Sequence, residues 1–85
     1  MQSYIAISDV IILMKYCILI VDDERNIRSA LRFVLEDEDY DVLEVESAEQ
    51  ALDVLERETV HLILLDLKMR GMGGMDFLRL LRERF

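Results

Sequence analysis

Three aspartates stand where short, uniformly apolar runs end: Asp22 and Asp23 after Ile18-Leu19-Ile20-Val21, and Asp66 after Leu62-Ile63-Leu64-Leu65. In an open parallel sheet, ligands bind beyond the carboxyl ends of the strands, where the strand order reverses. Two matching runs that each close on aspartate would bring three carboxylates to that point. Converging carboxylates repel one another, and a divalent cation relieves the repulsion better than a proton or a single lysine does. All-oxygen ligands with open water positions select Mg²⁺, which takes few protein ligands and readily adds a phosphate oxygen. A carboxylate beside such a cation is equipped to form an acyl phosphate, because phosphoryl transfer needs mainly in-line positioning and charge neutralisation. Aspartates after strands also cap helices and open turns, and for any one of the three that role would suffice. The Asp22-Asp23 pair taken with Asp66, each tied to a matching run, favours the site.

The elements that must position these residues are legible in the pattern. The two runs lack polar alternation and read as strands buried on both faces of a parallel sheet. Between them, Ile27, Ala30, Leu31, Val34 and Leu35 recur at spacings of three and four, which predicts an amphipathic covering helix from about Asn26 to Glu38. Arg25, Arg28, Arg32 and Glu36 fall on the stripe expected to face water. Tyr40 to Glu46 alternates imperfectly and fits a second strand nearer the sheet edge. Ser47 stands three residues before Gln50, the capping-box spacing, and opens a helix ending near Arg57. Gly71, Gly73 and Gly74 loosen the loop after the third strand, and Phe77, Leu78 and Leu81 mark a third helix reaching Phe85. The order β-α-β-α-β-α with short connections selects an α/β, doubly wound parallel sheet.

Composition bounds the function. At 85 residues the chain holds one domain, near the lower limit for a self-sufficient core. Eighteen acidic against ten basic side chains give a net charge of −8, so no direct nucleic-acid contact is expected from this segment. Ser8, Asp9 and Lys15 interrupt the apolar stretch before it reaches bilayer-crossing length, and the order of charges does not suit a secretory signal. A single cysteine, Cys17, fits a reducing cytoplasm.

Ile18 to Glu24, then Leu62-Ile63-Leu64-Leu65-Asp66-Leu67-Lys68-Met69, then Gly71-Met72 followed by Gly74 resemble the first-strand, third-strand and loop motifs of bacterial response-regulator receiver domains. The resemblance runs from about Lys15 to Phe85. It implies a flavodoxin-like sheet, incomplete at three β/α units, with strand order 2-1-3. It implies Mg²⁺ held by Asp23 and Asp66 directly, by Asp22 largely through water, and by the backbone carbonyl of Lys68. Asp66 would be the phosphoacceptor, receiving its phosphoryl group from a sensor histidine kinase of a two-component system, with weak self-phosphorylation and dephosphorylation as the most enzymatic activity expected.

This sequence departs from the family pattern in several places. Arg70 replaces the usual proline after Met69 and Gly73 the usual aspartate, which predicts a more flexible loop. No residue within Met1 to Phe85 matches the Ser/Thr after a fourth strand or the Lys after a fifth. An impaired switch, and self-association through an exposed third-strand edge, are therefore expected. The alternative function is a non-catalytic interaction fragment that keeps the kinase-docking face; a flavodoxin-like enzyme or nucleotide binder is disfavoured, since no glycine-rich loop follows the first strand. Residues 1–14 have no place in the pattern: they are either sequence upstream of the natural start or, over Ile5 to Leu13, an extra element covering the sheet. His61 reads as a surface histidine at the wrong end of its strand, the glycine-rich loop as a turn, and Met69, Met72 and Met75 as packing.

Overall fold

The computed structural model describes residues 15–85; the expectations for residues 1–14, including an added element over Ile5 to Leu13, lie outside the described residues. Strand β1 (Cys17–Val21) is the centre of a three-stranded parallel sheet, flanked by β2 (Asp41–Val45) and β3 (Leu62–Leu65) in the order β2-β1-β3. Its uniformly apolar sequence follows from that position: Leu19, Ile20 and Val21 are fully buried because both faces are covered. The β2-β1-β3 order and the three helices are the fold that the β/α alternation and the resemblance imply.

The two faces are filled differently. Helices α2 (Ala48–Arg57) and α3 (Gly74–Arg84) supply Ala48, Ala51 and Phe77, which enclose Leu19 and Val21 together with Met69. The expected packing role of Met69 is thus realised. Ser47 caps α2, its Oγ accepting the Gln50 N–H at 3.2 Å. The reciprocal bond of the capping box is displaced by one residue, with Gln50 Oε1 accepting the Glu46 N–H (2.9 Å).

On the other face, α1 (Arg25–Asp37) lies over β1 and β2 and buries none of its residues completely. Ile27 and Val34 stay exposed although both belong to the predicted apolar stripe. The helix covers only one side of that face, and an open cleft of about 370 Å³ remains between Ile27 and Leu31 of α1, Ile20 of β1 and Leu64 of β3. For the same reason β3 is not the fully buried strand that its sequence suggests: Leu62 is 51% exposed and the other three residues are half-buried. It is an edge strand among the described residues, and its apolar run is written for more cover than the described residues give it.

Arg28 corrects the sequence reading more sharply. Instead of facing water it turns inward, donating from Nη1 to the Asp22 carbonyl (2.9 Å) and from Nε to Glu44 Oε1 (3.2 Å). Arg32 donates to the second oxygen of Glu44. The Arg32 hydrogen bond, with Arg28 beside it, holds the Glu44 carboxyl below the ordinary carboxylate range. A depressed folded-state pKa means that this stability is complete above the unfolded value, about 4.3 for glutamate, and is lost as pH falls through the folded value. Thermal unfolding should therefore show Glu44→Gln less stable than the parent at pH 6, with the gap closing as pH is lowered below about 4; a gap independent of pH would refute the pairing.

The sheet ends are tied by short contacts. At the amino end His61 Nδ1 accepts the Cys17 N–H at 2.9 Å, the His61 N–H donates back to the Cys17 carbonyl, and the ring stands edge-on to Tyr16. His61 thus has a structural task, remote from the aspartates. Burial, with Asp41 and Glu58 nearby, pushes the pKa of the half-buried Cys17 thiol up. No helix among the described residues is long and apolar enough to cross a membrane.

Candidate functional site

The sheet ladder itself assembles the site. Beyond the last paired residues, Val21 with Val45 and Val21 with Leu65, the hydrogen bonding runs on for one more step: the Asp22 N–H donates to the Val45 carbonyl (3.2 Å) and the Asp66 N–H to the Val21 carbonyl (2.9 Å). Asp22 and Asp66 therefore leave adjacent strands at the same level, and Asp23 follows at the rim. One carboxylate oxygen from each of Asp22, Asp23 and Asp66 lies within 4.8 Å of the others. At that separation two unit charges repel by about 3 kcal/mol at an effective dielectric of ~20, and three such pairs act here. The arrangement is held by the fold against that repulsion.

Each carboxylate is anchored through one oxygen by a backbone N–H. Asp22 Oδ1 accepts from Glu24 (2.9 Å), Asp66 Oδ1 from Lys68 (2.9 Å) and Asp23 Oδ2 from Arg70 (3.2 Å). The first two are Asx turns, which fix the side chain against its own loop. The ordinary turn role of these aspartates and their place in a cluster thus coexist: the turn uses one oxygen and leaves the second without a protein donor among the described residues. Asp22 is buried, while Asp23 and Asp66 are half-buried and open to solution.

A hard divalent cation fits this donor set, which offers only carboxylate oxygens from three acidic side chains, two of them only partly buried. Sequence reasoning found all three aspartates. It missed Arg28, whose bond to the Asp22 carbonyl braces the end of β1 from α1; the signal was a glutamate, Glu44, on the face of β2 that an arginine of the neighbouring helix would reach. It also missed that Arg70 has a main-chain N–H to give. The loop expected to be looser for want of a proline is instead tied to Asp23 by a bond no proline could make.

The model of the response regulator receiver domain matches residues 18–85. Among curated proteins, the hydrogenase transcriptional regulatory protein HoxA of Cupriavidus necator is 46% identical over 68 residues, spanning 80% of this chain and 14% of that protein. Among solved structures, a response regulator receiver protein from Pseudomonas putida superposes with a TM-score of 0.79 at 30% identity, covering 81% of this chain and 58% of that one. Response regulator protein TrrA from Thermotoga maritima, solved in complex with Mg²⁺ and BeF, gives 0.77 at 35% identity, covering 81% of this chain and 60% of that one. TrrA has also been solved in complex with the histidine kinase ThkA. The chain therefore spans a small part of the curated regulator and somewhat over half of the receiver structures. With a sheet ordered β2-β1-β3 and an aspartate triad at its carboxyl end, this chain belongs to the response regulator receiver domain family.

Proposed function

We propose that the chain accepts a phosphoryl group on Asp66 from a sensor histidine kinase, residues 15–85 forming the receiver portion and residues 1–14 an extension ahead of it. The observation that carries this is the convergence of Asp22, Asp23 and Asp66 from two adjacent strand ends. In this reading Asp23 and Asp66 hold Mg²⁺ directly, Asp22 acts largely through water, and the Lys68 backbone carbonyl completes the set. Held by these residues, Mg²⁺ would supply charge neutralisation for phosphoryl transfer. The chain's own part is positional. The Asx turn at Asp66 fixes one carboxylate oxygen through the Lys68 N–H and presents the other as the nucleophile. That oxygen bonds to phosphorus as the bond to the donor's leaving group breaks.

The TrrA complexes with Mg²⁺ and BeF and with a histidine kinase support the choice of ion and donor. Incubation with Mg²⁺ and acetyl phosphate, followed by intact mass measurement, should reveal an added phosphoryl group; no adduct at any donor concentration would defeat the proposal. Mg²⁺ should also raise the melting temperature by mass action, since only the folded chain assembles the cluster. Asp23→Ala should remove that rise, and an unchanged Mg²⁺ response in this variant would show that the ion binds elsewhere.

The second reading, an interaction fragment that docks a kinase without switching, draws on α1, where Phe33 and Val34 lie open to solvent. Binding to a kinase with no adduct on Asp66 would favour it. A second copy is the partner proposed for the outer edge of β3, where Leu62 is half exposed. Light scattering should show concentration-dependent association that Leu62→Lys abolishes; a monomer at all concentrations would remove this partner.

A further inference from the structure

The loop after β3 carries a cation to which the phosphoacceptor chemistry assigns no role. Arg70 gives its backbone N–H to Asp23 Oδ2 at 3.2 Å, so its main chain is fixed at the rim of the carboxylate cluster. Its side chain is barely held. The guanidinium Nε lies 3.9 Å from the same oxygen, and the side chain is 96% exposed. A pair this open to water contributes little to fixing the arginine. Among the described residues it is nevertheless the one ion pair made by any member of the cluster. Arg28, also close, is committed to Glu44 and the Asp22 carbonyl.

A tethered backbone with a free guanidinium beside an anion-accepting carboxylate is suited to one task. The guanidinium offers five N–H donors in a planar fork that matches the oxygens of a tetrahedral oxyanion. A phosphoryl group adds close to two negative charges to a cluster that already holds carboxylates, more than one divalent ion neutralises. We infer that Arg70 swings from Asp23 to contact the oxyanion held at Asp66, serving as this chain's own cationic contact to the phosphoryl group. The inference rests on the phosphoacceptor reading above.

The two positions of Arg70 have opposite effects on the two ligands. Leaning on Asp23, the guanidinium competes with a metal cation for that carboxylate and weakens cation binding. Turned to the oxyanion, it strengthens anion binding. A residue that merely stiffened the loop would move both affinities in the same direction.

The test uses Mg²⁺ alone, then beryllofluoride at saturating Mg²⁺, with binding followed by calorimetry and fluorine NMR on the full chain. Arg70→Ala should tighten Mg²⁺ about two- to fivefold, the reach of an exposed ion pair. It should weaken beryllofluoride about tenfold or more, as expected for loss of one charge-assisted hydrogen bond. Arg70→Lys keeps the charge and should recover part of the beryllofluoride affinity, whereas Arg70→Pro should not. If the parent chain binds beryllofluoride and Arg70→Ala binds it equally well, this inference fails while the phosphoacceptor reading stands. Weakening of both ligands by Arg70→Ala would overturn it as well, showing a distorted loop. A parent chain that takes no beryllofluoride at all would overturn both.

Discussion

Replacing Asp66 with asparagine should reduce phosphoryl incorporation to background while leaving the fold as stable as the parent or more so. The amide keeps an oxygen able to accept the Lys68 N–H, so the turn that follows β3 survives the change. What disappears is the nucleophilic oxygen and one of three mutually repelling charges. In the absence of Mg²⁺, losing two of three repulsive pairs favours folding, and the melting temperature should hold or rise. With Mg²⁺ present the order should reverse, because the variant has surrendered a direct ligand and gains less from the ion. Intact mass after incubation with acetyl phosphate, and melting curves with and without Mg²⁺, read all of these effects. In the parent, the adduct should be lost on treatment with base or hydroxylamine, as an acyl phosphate is. Persistent labelling of Asp66→Asn would place the acceptor on another residue.

The aspartates were legible because strand and site share one signal. A strand buried on both faces must be uniformly apolar, and the first charged residue after it marks both the end of the strand and the mouth of the site; Val21-Asp22 and Leu65-Asp66 carry that mark twice. The central position of β1 came instead from the resemblance to receiver domains, because β3 carries an equally apolar run and lies at the edge among the described residues. What periodicity could not supply is which apolar residues obtain cover. The Ile27 and Val34 stripe and the Leu62 to Leu65 run are written as core, yet they lie partly open because cover depends on a third partner that neither segment's own pattern specifies. Arg28 shows the converse limit. Its place on the helix wheel pointed to water, but its stem is long enough to bring the guanidinium back onto Glu44 and the Asp22 carbonyl, two acceptors supplied by other elements. Arg70 was misjudged because substituting a proline was read only as loss of rigidity, whereas it also restores a donor.

The three glycines of the loop that follows Asp66 should respond to alanine in sharply different ways, and Gly74 should be the costly one. A Cβ built on Gly74 would lie 2.5 Å from the Leu67 Cα and 2.7 Å from the Asp66 carbonyl oxygen, both backbone atoms that cannot rotate aside. Gly74 is the first residue of α3, and its bare Cα lets the helix rest directly on the chain leaving the phosphoacceptor. In an ordinary helix, alanine would be favoured over glycine by roughly 0.5–1 kcal/mol. Here overpacking against fixed backbone opposes that gain, at about 1–3 kcal/mol or more, and the clash prevails. For a domain of this size each kcal/mol lowers the melting temperature by about 4–8 °C, so Gly74→Ala should lose on the order of 10 °C or fail to fold. The strain also falls on Asp66 itself, so any folded fraction should bind Mg²⁺ less well than the parent. Gly73 provides the control, because nothing lies within 4 Å of its would-be Cβ and its φ of −67° suits any residue. Gly71 separates conformation from space: its surroundings are equally empty, but its φ of +72° lies in the left-handed region, where alanine costs roughly 1–2 kcal/mol. Melting temperatures should therefore fall in the order Gly73→Ala, Gly71→Ala, Gly74→Ala, with the Mg²⁺ response impaired most in the last. Equal tolerance at Gly73 and Gly74 would mean that α3 does not rest on the Asp66-Leu67 backbone in solution, and that the phosphoacceptor loop is held by its Asx turn and the Arg70 bond alone.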